Sequence, residues 1–361
     1  MGRLSQPARL PLMDPISQAA LGAVVAQTAG HKTLGFRAAA VGAAVGAMPD
    51  IDVFFSLSGD YFEQLVSHRG ITHSLFFAPV VGPALAWLAW RVESARRHEL
   101  GGARRLQAWM LALTLAIFSH PLLDLLTPYG TQLLLPFSNA RFAISAMPII
   151  DPVYTITLLI GLQIAARNAE LATRIATITL LVSCSYLGYG WYLNSAAEAE
   201  ARAQLAAKGV LNVEVAAFPT ILQIHYRRVV ARTPDLDRVG FISMWDPCEI
   251  RWRSESRIDR PHLEAFLATR EGAVFDWFSM GWAHYELEER GDTQRLTATD
   301  LRYGFTEDPT TSVFTASAVL DSNGRVLGPV KGGRFAPQSP SETLYALMQA
   351  AYAPNCRIDE G

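Results

Sequence analysis

The stretch Leu106–Thr127, LQAWMLALTLAIFSHPLLDLLT, decides how the chain is read. It is 22 residues long and apolar apart from His120 and Asp124 near its end. A bilayer core needs about 17–25 such residues per helix. Three further stretches read the same way: Ser74–Trp90 and Ile175–Leu193 carry no charge, and Ile149–Ala166 carries one acid, Asp151. Two shorter apolar segments, Ile16–Ala29 and Gly35–Met48, precede them and read as a partly inserted hairpin, with Gly42 and Gly46 spaced for close helix packing.

Composition divides the chain at the same place. Residues 1–194 carry 13 Lys/Arg and 10 Asp/Glu, whereas residues 195–361 carry 18 and 23. The first part is therefore as charge-poor as a membrane protein, and the second is as charged as an ordinary soluble domain. The expected architecture is mainly α: a polytopic transmembrane helical bundle over 1–194, with an appended soluble α+β domain over 195–361. A net charge of −2 without a basic face argues against nucleic acid as a partner. The apolar content excludes disorder. Three cysteines without CxxC spacing exclude a cysteine-framed zinc finger. The late apolar start argues against a cleaved signal peptide, and Met13 is an alternative start.

Basic residues set the expected orientation. Lys32, Arg37, Arg91, Arg96, Arg97, Arg104, Arg105, Arg167 and Arg174 fall in loops on one side of an alternating topology; Arg3, Arg9, Arg69 and Arg141 fall on the other. Nine against four places the Arg-rich loops in the cytoplasm and the C-terminal domain outside it.

The unusual polar residues then fall at one membrane face. Asp50 and Asp52 lie in MPDID, His68 and His73 in SHRGITHS, His120 and Asp124 in SHPLLDLLTPYG, and Asp151 in IIDP. His120 and Asp124, at i,i+4, share a helix face. His68 and His73 converge if His73 opens a helix with Thr72 as its cap. Three histidines with several aspartates form a mixed N/O donor set, which suits zinc, one ion or two, and also manganese or iron. Asp in a membrane costs about 2.5–3.5 kcal/mol each on insertion scales, and a structural zinc site returns about 10–16 kcal/mol. A cation can therefore offset the whole cluster. Taken singly, PDID also reads as a capping turn, HPLLD as an interfacial helix end and HRGITH as a polar loop.

A metal in such a site lowers the pKa of water from about 15.7 toward 7. Asp50, Asp52, His68, His73, His120 and Asp124 are the candidate ligands. Asp151 is a candidate base, and Arg69 and Arg141 are candidate holders of an anionic phosphate. A site at the membrane face suits membrane lipids or an amphiphilic phosphoester as substrate.

MPDID at 48–52, HRGITHS at 68–74, HPLLDLLTPYG at 120–130, PFSNARF at 136–142 and TDLRYGF at 299–305 together resemble a family of bacterial inner-membrane-associated metal-dependent hydrolases, linked by name to LexA binding. The resemblance implies an inner-membrane location and a hydrolase without a defined substrate. It departs at Ser17-Gln18, where the family often has Thr-His, so one ligand position is replaced by a neutral amide. The His/Asp pattern is more loosely similar to helical zinc phospholipases C, by analogy only. Two other functions remain open: a transporter component, and a non-catalytic interaction protein tied to a stress response.

The C-terminal part reads as strands at Leu222–Val230, Phe241–Trp245, His284–Glu289, Gln294–Tyr303, Val313–Leu320 and Arg325–Val330. Hairpin turns are expected at Gly291-Asp292 and Asp321–Gly324. Helices are expected at Ala196–Lys208, Pro261–Thr269 and Ser341–Tyr352. His225, His262 and His284 read as structural, Trp245, Trp252, Trp277 and Trp282 as core, Cys184 as a small apolar residue, and Cys248 with Cys356 as a pair if the domain faces an oxidising compartment.

Overall fold

A computed structural model describes residues 14–54, 59–97, 102–259, 263–334, 337 and 339–353. They fall into two compact units. One is helical, built from the described residues of Met13–Ser58 and Ser67–Tyr189; the other holds the sheets and comprises those of Gly59–Val66 and Gly190–Gly361.

The helical unit starts with α1 (Pro15–Leu34), which Asp14 caps by accepting from the Ser17 amide at 2.9 Å. It continues through α2 (Arg37–Gly46), a 3₁₀ segment Met48–Phe54 and, after α3 (Tyr61–Ser67), a second 3₁₀ turn, Ile71–His73. Then come α4 (Phe77–Arg97), α5 (Ala103–Leu125), α6 (Pro152–Arg167) and the 36-residue α7 (Ala172–Ala207). Ala26, Leu34, Ala38, Val45, Ala112, Leu113, Ala116 and Ile117 form a core between α1, α2 and α5.

Small residues let α1 and α2 approach to backbone contact. A Cβ on Gly22 would lie 2.5 Å from the Gly42 carbonyl oxygen, and one on Gly46 would lie 2.7 Å from the Gly22 Cα. Gly42 and Gly46 thus act as the sequence spacing implies, and their partner is Gly22.

The polytopic bundle is corrected by the helix lengths and compositions. Among the described residues only α5 is long and apolar enough to cross a membrane, or two spans if the bent succession Tyr61–His73 and Phe77–Arg96 counts as one. α6 has 16 residues, about 24 Å at 1.5 Å per residue, against a hydrocarbon core of about 30 Å. The expected span at Ile175–Leu193 is the middle of α7, where Ser183, Ser185, Tyr186, Tyr189 and Tyr192 interrupt the apolar run. What stands is a helical N-terminal region followed by an antiparallel-sheet domain. The helices still turn apolar side chains outward, among them Val80, Trp87, Leu111, Ile156, Ile160 and Leu181.

The second unit contains two four-stranded antiparallel sheets. β1 (Glu214–Pro219), β2 (Tyr226–Arg232), β3 (Leu236–Ser243) and β4 (Arg253–Ser256) follow one another in the first. After α8 (Glu264–Leu267) and α9 (Arg270–Ser279) come β5 (Ala283–Arg290), β6 (Thr293–Asp300), β7 (Phe314–Asp321) and β8 (Lys331–Arg334), and α10 (Pro340–Tyr352) ends the described elements. Gly291 turns the β5–β6 hairpin with φ +65°, a conformation that glycine adopts without cost. After Gly324 the chain makes only an isolated bridge, Leu320 to Val326, and the ladder resumes at β8. His284 is buried on a network rather than idle in a strand. Asp237 on β3 accepts from its Nδ1 at 2.9 Å and from Arg232 Nε at 2.6 Å. Trp245 is exposed, not core, and sits edge-on to His225 and Tyr352. Cys184 is an exposed free thiol. His262 and Cys356 lie outside the described residues.

Burial would raise the Asp237 carboxyl, but His284 and Arg232 hold it below its ordinary value. A depressed carboxylate contributes stability above its unfolded pKa of about 3.9, and that stability is lost as the pH falls through the native value. Asp237→Asn should destabilise the sheet unit by about 3–5 kcal/mol at neutral pH. It should also shrink the acid-side loss in a thermal melt followed from pH 7 to pH 3.

Candidate metal centre

Each side chain of the centre is placed by a backbone feature. α2 ends at Gly46, whose carbonyl has no intrahelical partner because it lies in the last turn. His120 Nδ1 fills that vacancy at 2.7 Å. The 3₁₀ segment after α2 turns Asp50 and Asp52 to neighbouring directions. Arg69 has a left-handed backbone, φ +58°, which is costly for a residue with a Cβ. Its amide donates to Asp52 Oδ2 at 2.8 Å, which ties the histidine-bearing loop to the aspartate turn. His73 lies in the 3₁₀ turn Ile71–His73, and α4 begins only at Phe77. Thr72 is therefore not the cap expected for a helix at His73. Its hydroxyl lies 3.4 Å from Asp52 Oδ2 and 3.1 Å from His73 Nδ1.

Asp50, His73 and His120 come together as a group able to hold a metal ion. The two Nε2 atoms are 3.0 Å apart. Asp50 Oδ1 lies 3.1 Å from His120 Nε2 and 3.5 Å from His73 Nε2. A tetrahedral site with ligand distances of about 2.0–2.1 Å has edges of about 3.3–3.4 Å. The three donor atoms thus match one face of such a tetrahedron. Asp124 Oδ2 flanks the same histidine edge, 3.1 Å from His73 and 3.6 Å from His120.

The protonation pattern also fits a cation. His73 Nδ1 is 3.1 Å from Asp52 Oδ2, and His120 Nδ1 faces the Gly46 carbonyl. Both Nδ1 positions face acceptors and so carry the ring protons. In that tautomer both Nε2 atoms would present lone pairs to each other, the arrangement that a bound cation stabilises. Asp50 Oδ1 and Oδ2 and Asp124 Oδ2 are buried and accept no hydrogen bond among the described residues. Opposed lone pairs ringed by unsatisfied carboxylate oxygens are unfavourable without a positive charge between them. Burial alone would raise the Asp52 carboxyl, but His68 and His73 hold it well below the usual range.

The other sequence candidates are placed around this trio. His68 Nδ1 lies 3.2 Å from Asp52 Oδ1, so it braces Asp52. The buried Arg69 guanidinium meets Asp124 Oδ1 at 3.2 Å and the Thr127 hydroxyl at 2.6 Å. Gln18 donates to the same Asp124 Oδ1 at 3.0 Å. An amide at this position therefore steadies Asp124 and leaves its Oδ2 toward the histidines. Arg141 donates to the carbonyls of Tyr129 and Gly130. Asp151 caps α6, accepting from Val153 and Tyr154 amides and from the Tyr186 hydroxyl at 2.8 Å. The Gly46 carbonyl was not readable from sequence, since any residue offers one and only the fold places it opposite His120.

Residues 13–197 match the YdjM inner membrane protein family. The chain belongs to that family. It is 35% identical over 129 residues to the inner membrane protein YbcI of Escherichia coli (strain K12), covering 35% of this chain and 69% of that one. It is 31% identical over 119 residues to the uncharacterized protein YfhP of Bacillus subtilis (strain 168), covering 32% of this chain and 33% of YfhP. No solved structure matches. The family places the protein at the inner membrane. The inner-membrane part of the family expected from the motifs is thus shown, and its metal-dependent hydrolase part is not. The nine-against-four orientation rested on several crossings, and with one or two candidate spans that count loses its basis.

If Asp52 orients His73, Asp52→Asn should weaken zinc affinity by about 10–100-fold without abolishing it. Competition against a chromogenic chelator measures this. Wild-type affinity in the variant would remove Asp52 from that role.

Proposed function

We propose that the helical unit is a metal-dependent hydrolase seated at the inner membrane and acting on a phosphoester or lipid-like substrate. The observation that carries the reading is the pair of buried imidazoles whose Nε2 atoms face each other 3.0 Å apart beside Asp50. Three protein ligands with a further position available are the pattern of catalytic rather than closed structural zinc sites. When bound, a divalent ion supplies Lewis acidity and a water of lowered pKa. Asp50, His73 and His120 would hold it, with Asp124 as the further candidate. Asp52 and the Gly46 carbonyl keep each imidazole in the tautomer that leaves Nε2 free. Asp50 is the least buried of the three, with 14% of its side chain exposed against 0% for either histidine. Arg69 meets Asp124 Oδ1 at 3.2 Å and fixes that carboxylate's orientation.

The test uses the full chain purified in detergent. Elemental analysis should find one or two divalent ions per chain, and His73→Ala or His120→Ala should each remove most of it. Hydrolysis of a generic chromogenic phosphoester should be abolished by a chelator and restored by zinc or manganese. Full metal content with no metal-dependent turnover on a panel of phosphoesters would reduce the site to a structural one. Wild-type metal content in His120→Ala would overturn the ligand assignment.

A further inference from the structure

A cavity of about 450 Å³ opens between α2, α4 and α5, away from the histidines. Small-ligand clefts fall in the range of about 300–1,000 Å³. Val41, Val45, Leu85, Leu88 and Leu113 line its length, and Arg37, Glu93 and Arg96 stand at one end. Its other end, at Val45 and Leu113, is adjacent in sequence to Gly46 and seven residues from His120, about 10 Å along α5. The charged end therefore lies at the far end of α2 and α4 from the metal centre.

Charge at that end does not cancel. Glu93 is engaged by Arg105 Nε at 2.7 Å, by Arg37 Nη1 at 2.7 Å and by the Trp109 indole at 3.0 Å. One acid is shared by Arg37 and Arg105, and Arg96 lines the same end. Arg96 is exposed and forms no ion pair among the described residues. Arg37 is 56% exposed at its side chain, so its guanidinium can also reach a second anion. α2 begins here without a side-chain cap, so its first amides add to the positive potential.

We infer that this groove binds one anionic phospholipid, with an acyl chain along the apolar wall and the phosphate at Arg37 and Arg96. An apolar trough whose end holds Arg37 and Arg96 beside a Glu93 already shared between Arg37 and Arg105 is complementary to a negatively charged amphiphile. The protein resides where such lipids are the solvent, and basic pockets between membrane helices bind anionic headgroups in general. The inference stands apart from the proposed hydrolase, because the headgroup lies at the opposite end from the trio.

The experiment uses the full chain in detergent micelles doped with phosphatidylglycerol or with phosphatidylcholine of the same acyl chains, and counts bound lipid by native mass spectrometry. Wild type should retain phosphatidylglycerol about 10–30-fold better, as expected for two arginines near a headgroup. Arg37→Gln with Arg96→Gln should bring the two lipids within about twofold, while Arg37→Lys with Arg96→Lys keeps most of the preference. Ala40→Trp, at an exposed position on the groove wall, should displace both lipids. Melting temperature and metal content should be unchanged in these variants. Metal-free but lipid-selective protein would sink the hydrolase reading and leave this one standing. Equal retention of the two lipids by wild type, undiminished preference in the Gln pair, lipid retained by Ala40→Trp, or a lipid-free dimer sealed by the groove would each overturn the proposal.

Discussion

Two buried imidazoles whose Nε2 atoms face each other 3.0 Å apart constrain everything near them in the helical unit. His73 and His120 hold that posture because Asp52 and the Gly46 carbonyl lie within hydrogen-bond reach of their Nδ1 atoms. Gly46 in turn sits where it does because α1 and α2 touch backbone to backbone at Gly22, Gly42 and Gly46. A side chain on any of the three would push α2 outward and carry the carbonyl away from His120. The small-residue contact and the metal centre are thus one mechanical unit.

The surrounding residues show how a buried site of this kind is kept in place. Asp52 is gripped by His68, by the Arg69 amide and by His73. Asp124 is gripped on one oxygen by Arg69 and Gln18, which turns its other oxygen toward the histidines. Each carboxylate has one edge committed to the scaffold. Preorganisation of this sort lets a site bind a cation without reordering itself, and it explains why a left-handed residue is tolerated at Arg69. The sheet unit pairs a buried carboxylate with the same residue types. Asp237 meets both Arg232 and His284, leaving that cluster as internal structure.

The apolar character of α5 and the shared face of His120 and Asp124 were legible from residue type and spacing. These are local properties, set by helical period and by the cost of charge in an apolar segment. The β5–β6 hairpin was legible for the same reason, since a Gly-Asp turn between alternating runs signals itself. The number of membrane crossings was not. Apolar runs in α1, α6 and α7 look alike in sequence, and only helix length, bending and the polar residues interrupting each run separate a spanning segment from a packed one.

Sequence by itself singled out the candidate residues: histidines and aspartates grouped in three short motifs stand out in so apolar a context. Tertiary structure alone decided which of them point at a common centre. His68 and His73 are equivalent by type and five residues apart, yet one braces Asp52 and the other faces His120. That choice depends on where α2 ends and how the loop at Arg69 turns, and both follow from contacts between segments distant along the chain.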